Sequence, residues 1–256
     1  MKRRLLAAWR LVRTLLHGLH GLGIVLLRFP HLDAAGRQAR IRWWAMGLLR
    51  CLGIALHVRG EPAPGAKLIV ANHVSWLDIM AIHAACPQAR FVSKADVRHW
   101  PLVGRLVDSA GTLYLERERK RDAMRVVHQM AEALSAGETV AIFPEGTTAD
   151  GRTLLPFHAN LIQAAVATGA PAQPVAIRFS DRHYPVSPSA EFLGETTLAE
   201  SLWRLACGEG MGVHVTLLPP RATAHVDRRA LAQALRDDIA AVLEPRTGVQ
   251  ESARRP

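Results

Sequence analysis

From residue 68 to residue 243 the apolar positions switch repeatedly between short continuous runs and helical spacing. Leu68-Ile69-Val70-Ala71 is a continuous apolar run closed by Asn72, the pattern of a buried strand that ends in a turn. Asp78–Ala85 reads as a short helix, Arg90–Ser93 as a strand, His99–Gly104 as the opening of another short helix and Thr112–Leu115 as a strand. Arg119–Ala136 places Ala123, Val126, Val127, Met130, Ala133 and Leu134 at helical spacing, and Gly137 ends it. Thr139–Phe143 reads as a strand, Ala159–Thr168 as a helix, Gln173–Phe179 as a strand and Val213–Leu217 as a late alternating strand. Ala230–Leu243 closes the pattern with Leu231, Leu235, Ile239 and Val242 on one side. Strands alternating with helices predict an α/β fold, a mostly parallel sheet flanked by helices.

The first sixty residues have a different texture. Two helices are predicted, the first carrying Leu5, Leu6, Trp9, Leu11, Val12, Leu15, Leu16, Leu19 and Leu22 to Leu27, the second running from about Ala34 to Ala55 with Trp43 and Trp44. Eleven basic residues stand there against the single acid Asp33, while the rest of the chain is balanced. The whole formal net charge of +10 therefore sits in the first quarter. Arginines and tryptophans around apolar helices suit an anionic bilayer surface, not nucleic acid. Thr14 to Leu27, the cleanest uncharged stretch, is 14 residues long, short of the roughly 20 a span needs. The expectation is a helix lying in or dipping into one leaflet, on the cytoplasmic face of the inner membrane, the alternative being a full span with Arg10 and Arg13 snorkelling. Phe29-Pro30-His31-Leu32-Asp33 offers no small-residue cleavage site for a signal peptide. The breaker cluster Gly60-Glu61-Pro62-Ala63-Pro64-Gly65 suggests a division into 1–58, a domain over 59–245, and a polar, disordered tail over 246–256.

Cys51, Cys86 and Cys207 are scattered and odd in number, with no Cys-x-x-Cys. Neither a disulfide framework nor a metal site is signalled.

Candidate chemistry begins at His73-Val74-Ser75-Trp76-Leu77-Asp78. A histidine at the carboxyl end of a buried strand, with a carboxylate a few residues on, has the makings of an oriented general base. The same letters also fit a capping box, Ser75 as N-cap and Asp78 reaching back to its N–H. A second segment, Val140-Ala141-Ile142-Phe143-Pro144-Glu145-Gly146-Thr147-Thr148, is a strand closed by a Pro-Glu-Gly turn.

Together, Asn72-His73-x-x-x-x-Asp78 and Phe143-Pro144-Glu145-Gly146-Thr147 resemble the glycerolipid acyltransferase family, which includes the 1-acylglycerol-3-phosphate acyltransferases. Gly111–Arg117 looks like the family's second block, with Glu116 where Asp is usual, and Ala170–Ala176 is similar to its Pro-rich fourth block. The resemblance covers roughly residues 55 to 220. It implies direct acyl transfer from acyl-CoA or acyl-carrier-protein to a lysolipid hydroxyl, without an acyl-enzyme, a metal or a bound cofactor. His73 would be the base and Asp78 its orienter. Glu145, Gly146 and Thr147 would hold the acceptor, and Arg117 and Lys94 would bind phosphate. The remaining histidines, His158 and His214 among them, read as structural. A lipase-like hydrolase lacks its Gly-x-Ser-x-Gly elbow here, and a non-catalytic membrane-binding protein has no need of both motifs. One departure matters. Phosphatidic-acid-forming members commonly carry Arg after Glu-Gly-Thr, where this chain has Thr148. The favoured acceptor is therefore a lysophospholipid or lyso-ornithine lipid, the alternative being 1-acylglycerol-3-phosphate.

Overall fold

The structure is a computed structural model that describes residues 2–99, 103–115 and 120–244. Helices α1 (Lys2–Leu27) and α2 (Ala34–Leu52) form an N-terminal hairpin. Then follow β1 (Ala55–Arg59), β2 (Lys67–Ala71), α3 (Leu77–Ala85), β3 (Ala89–Lys94), α4 (Val103–Ser109), β4 (Leu113–Leu115), α5 (Lys120–Ser135) and β5 (Thr139–Ile142). The chain continues through α6 (Gln163–Thr168), β6 (Ala172–Ser180), α7 (Leu198–Cys207), β7 (Gly212–Leu217) and α8 (Arg228–Leu243). Among the described residues the strands make one sheet in the order β1-β7-β6-β2-β5-β3-β4. Every neighbouring pair is parallel except β6 and β7.

This is the α/β sheet the strand–helix alternation predicts, and helices cover both of its faces. Successive side chains of a strand point to opposite faces, so β2 feeds two cores. Ile69 and Ala71 join Leu49 and Leu52 of α2, Leu77 and Ile82 of α3 and Leu205 of α7. Leu68 and Val70 join Met130 and Leu134 of α5, Ala164 of α6 and Leu231 and Leu235 of α8. That two-sided burial explains why β2 reads as an unbroken apolar run.

Some elements differ from the sequence reading. Helix α2 stops at Leu52 because Gly53, at φ +78°, takes the left-handed cap and the N–H of Ile54 closes on Leu49. Residues 55–59 are then a strand, paired in register with β7 from Ala55↔Gly212 to Arg59↔Thr216. Its polar, exposed pattern hid it, since an edge strand shows no apolar run. The expected division after residue 58 falls inside β1. Helix α7 was also not anticipated, although Thr197 and Glu200 make a full capping box at its start. The helix expected to open at His99 is a short 3-10 turn over Ala95–His99 followed by α4. The polar tail lies outside the described residues.

Candidate active site

β2 delivers its carboxyl end to the middle of the sheet. Asn72 stops the strand without releasing it from β6. Its Oδ1 accepts the N–H of Ile177 at 2.7 Å and its Nδ2 donates to the Ile177 carbonyl at 2.9 Å. This side chain copies the ladder one residue past the last backbone pair, Ala71↔Val175. His73 is thereby fixed at the sheet edge. Its carbonyl accepts from Ala149 N at 2.7 Å.

Asp78 is fully buried, and its Oδ2 accepts three N–H groups: His73 Nδ1 at 2.8 Å, Val74 N at 2.7 Å and Ser75 N at 2.9 Å. The two readings of this segment are therefore joined in one carboxylate. It closes the start of α3 and it pairs with the imidazole. The Ser75 half of a capping box is missing, because the buried Ser75 hydroxyl has no hydrogen bond among the described residues. With Nδ1 donating to Asp78, the other ring nitrogen is left as an acceptor. His73 Nε2 has no partner among the described residues, and the side chain is 20% exposed.

Glu145 comes from the turn after β5. Although 72 residues away in sequence, its Oε1 accepts the N–H of His73 at 2.7 Å, and its Oε2 accepts Leu155 N at 2.9 Å. The residue is buried. Burial pushes its carboxyl group up from the ordinary range, against the pull of those two N–H groups. Its carboxylate thus ties the β2 edge to the loop at Leu155. Gly146 and Thr147 are exposed on the same turn, and Gly146 holds φ +70°, a conformation that favours glycine.

Phe143 lies flat against the imidazole, ring centroids 4.0 Å apart and planes 12° from parallel. Phe91 of β3 stacks behind Phe143 at 5.7 Å, and His83 of α3 meets Phe91 edge-on at 4.9 Å. Thr148 donates its hydroxyl to the Phe192 carbonyl. Lys94 is the last residue of β3, while Glu116 and Arg117 lie outside the described residues. The structure thus brings together His73, Asp78, Glu145, Gly146 and Thr147. The roles of Asn72, Phe143 and Leu155 were not anticipated. Asn72 directly before His73 was the available signal for the first, since a short amide side chain at a strand end can continue the ladder.

An acceptor nitrogen oriented by a buried carboxylate, at the carboxyl edge of a mostly parallel sheet, has the geometry of a general base placed where such sheets gather their ligand sites. The family model for acyltransferases matches residues 55–178. The chain is 39% identical to a lyso-ornithine lipid O-acyltransferase of Pseudomonas aeruginosa, over 87% of this chain and 90% of that one. It is 36% identical to a 1-acyl-sn-glycerol-3-phosphate acyltransferase of Neisseria meningitidis, over 77% and 78% of the two chains. The crystal structure of a 1-acyl-sn-glycerophosphate acyltransferase from Thermotoga maritima shares the fold, with TM-score 0.67 and 21% identity over 91% of this chain and 96% of that one. The chain belongs to the acyltransferase family, and it is an enzyme of that class.

Proposed function

We propose that this enzyme transfers a fatty acyl group from acyl-CoA or acyl-carrier-protein to the hydroxyl of a lysolipid, with His73 as general base. The observation that carries the reading is the 2.8 Å bond from His73 Nδ1 to Asp78 Oδ2, with Nε2 uncommitted. Nε2 takes the proton of the lysolipid hydroxyl as its oxygen attacks the thioester carbonyl carbon. Asp78 stabilises the imidazolium. The tetrahedral intermediate collapses with cleavage of the carbon–sulfur bond, and the imidazolium returns the proton to the departing thiolate. Gly146 and Thr147 sit between Glu145 and Ala149, both hydrogen-bonded to the His73 backbone. Their position suits them to the acceptor and to the oxyanion, with Glu145 holding the turn in place. Lys94 and Arg117 remain the proposed phosphate contacts.

The acceptor we favour is lyso-ornithine lipid or a lysophospholipid with a substituted head group. Two observations support it: the P. aeruginosa relative over most of both chains, and Thr148 in place of an arginine, its hydroxyl turned to the Phe192 carbonyl. The second reading, 1-acylglycerol-3-phosphate, is supported by the N. meningitidis relative. The enzyme works at a membrane surface. Helix α1 is long and apolar enough to cross a bilayer, yet Arg10, in its first half, donates to the carbonyls of Ala206 and Gly208 at the carboxyl end of α7. A helix clasped to the domain there suits a position along one leaflet, with Leu5, Trp9, Val12, Leu15, Leu16 and Leu19 exposed toward lipid.

The test is a panel of lysolipids offered with both thioester donors. Wild-type protein should acylate lyso-ornithine lipid or a lysophospholipid with the highest kcat/KM. His73→Ala should lose transfer by on the order of a hundred- to ten-thousand-fold while melting normally. Near-normal turnover by folded His73→Ala protein sinks the mechanism. A strong preference for 1-acylglycerol-3-phosphate selects the second acceptor.

A further inference from the structure

Behind the active-site turn lies a cavity of about 480 Å³ between the strap at residues 156–160 and the first turns of α8. Its walls include His158, Asn160, Arg228, Arg229, Gln233 and Arg236, and among the described residues no acid lines it. Asp227, just outside, attracts Arg228 and Arg229, but its Oδ1 is spent capping α8 through Arg229 N and Ala230 N. The guanidinium groups of Arg228 and Arg229 make no hydrogen bond or ion pair with the described residues, and Arg228 is half-buried. Arg236 is committed differently, donating to the carbonyls of Leu154 and Leu155. These residues lead directly into the strap, and Glu145 holds them from the other side through Leu155 N. His158 N donates to the Pro144 carbonyl, and a methyl group at Gly146 would meet the His158 ring at 3.4 Å. His158 therefore stands between the two, lining the cavity and touching the Pro144–Gly146 turn of the active site.

Resting on the acyl-transfer reading above, we propose that this cavity binds the phosphate groups of the thioester donor's pantetheine arm, with Arg228 and Arg229 as the charged forks. Adjacent arginines in an acid-free hollow match phosphate oxygens with paired N–H donors. Pantetheine phosphate occurs in two sources, coenzyme A and the prosthetic arm of acyl-carrier-protein, and the chemistry of recognition is shared.

The experiment compares full-length wild-type protein with an Arg228→Gln/Arg229→Gln double variant. The donors are acyl-CoA, acyl-carrier-protein and acyl-pantetheine, which has no phosphate. At least a tenfold rise in KM is expected for one or both phosphorylated donors, and the donor affected identifies the source. The kcat, the KM for lysolipid and the KM for acyl-pantetheine should stay unchanged. An Arg228→Lys/Arg229→Lys variant, keeping charge without the fork, should fall between. Unchanged KM for both phosphorylated donors overturns the proposal, as does an equal rise for acyl-pantetheine or a rise for lysolipid alone. Calorimetric binding of CoA and of free 4′-phosphopantetheine, read without turnover, separates the two ideas. Binding lost in the double variant supports the cavity even if no donor is consumed. Wild-type turnover without such binding retains acyl transfer and removes the cavity's role.

Discussion

Two histidines ten residues apart occupy the two ends of one aromatic stack, and they differ in almost everything else. His73 sits at the strand edge with a carboxylate on one nitrogen and an open face on the other. His83 lies on α3, 4% exposed, with no hydrogen bond to its Nδ1 among the described residues. Burial pushes His83 down to about 4, so it is a neutral core ring at any physiological pH. The rings of Phe143 and Phe91 join the two. Under the proposed mechanism reactivity belongs to the pairing and the access, not to the residue type, and each difference can be removed singly.

The largest effect is expected for Asp78→Ala. It removes the orienter of His73 and leaves the N–H groups of Val74 and Ser75 without an acceptor. Transfer should fall on the order of a hundred- to ten-thousand-fold, and stability by roughly 1–3 kcal/mol for each orphaned group. Kinetics and urea melts on the same sample read both. A drop in activity alone would mean that the turn does not depend on its carboxylate.

His83 should show the reverse profile. Between pH 6.5 and about 4 the unfolded chain takes up a proton that the buried ring does not, so stability falls as pH drops. The total is about 3 kcal/mol from a shift of this size. His83→Leu should flatten that acid limb of a stability–pH curve and leave turnover at neutral pH unchanged. Loss of turnover would instead place His83 in the working site.

Glu145→Gln comes next. A neutral amide brings one acceptor oxygen where two are used, so either His73 N or Leu155 N faces an NH2 group. The cost expected is about 1–3 kcal/mol, with transfer reduced alongside, since the strand edge loosens. The smallest effect belongs to Phe143→Leu, which keeps an apolar neighbour for His73 but not a flat one. Aromatic pairs add about 0.5–1.5 kcal/mol beyond area, so a destabilisation of that order and a modest fall in kcat are expected. An unchanged kcat would show that Asp78 alone sets the imidazole.

The sheet was legible wherever strands are buried on both faces, as at Leu68–Ala71 and Thr139–Phe143, because continuous apolar runs survive in the letters. β1 was not, since its burial on the β7 edge leaves Ala55, His57, Val58 and Arg59 exposed. The His73–Asp78 pairing was legible because both groups lie in one turn. The tie from Glu145 to His73 was not. It depends on two strands becoming neighbours in the sheet, and no local pattern encodes which carboxylate oxygen meets which amide. Likewise, His158 read as structural from spacing alone, and only the packing of α8 against the strap shows it lining a cavity.

Helix α2 does two jobs along its length. At its middle it meets α1: His17 and Trp44 exchange hydrogen bonds with each other's carbonyls, and Gly21 leaves room for the Trp44 indole. At its end Leu48, Leu49 and Leu52 are core. A lipid surface that holds α1 therefore pulls on the same helix that closes one face of the sheet. In thermodynamic terms the bilayer becomes a ligand of the folded state, and any ligand bound only by that state stabilises it by mass action. The melting temperature of this enzyme should then rise with the concentration of anionic vesicles, as it would with a small molecule. Its stability in detergent would be a property of the pair, protein and surface, and not of the chain alone.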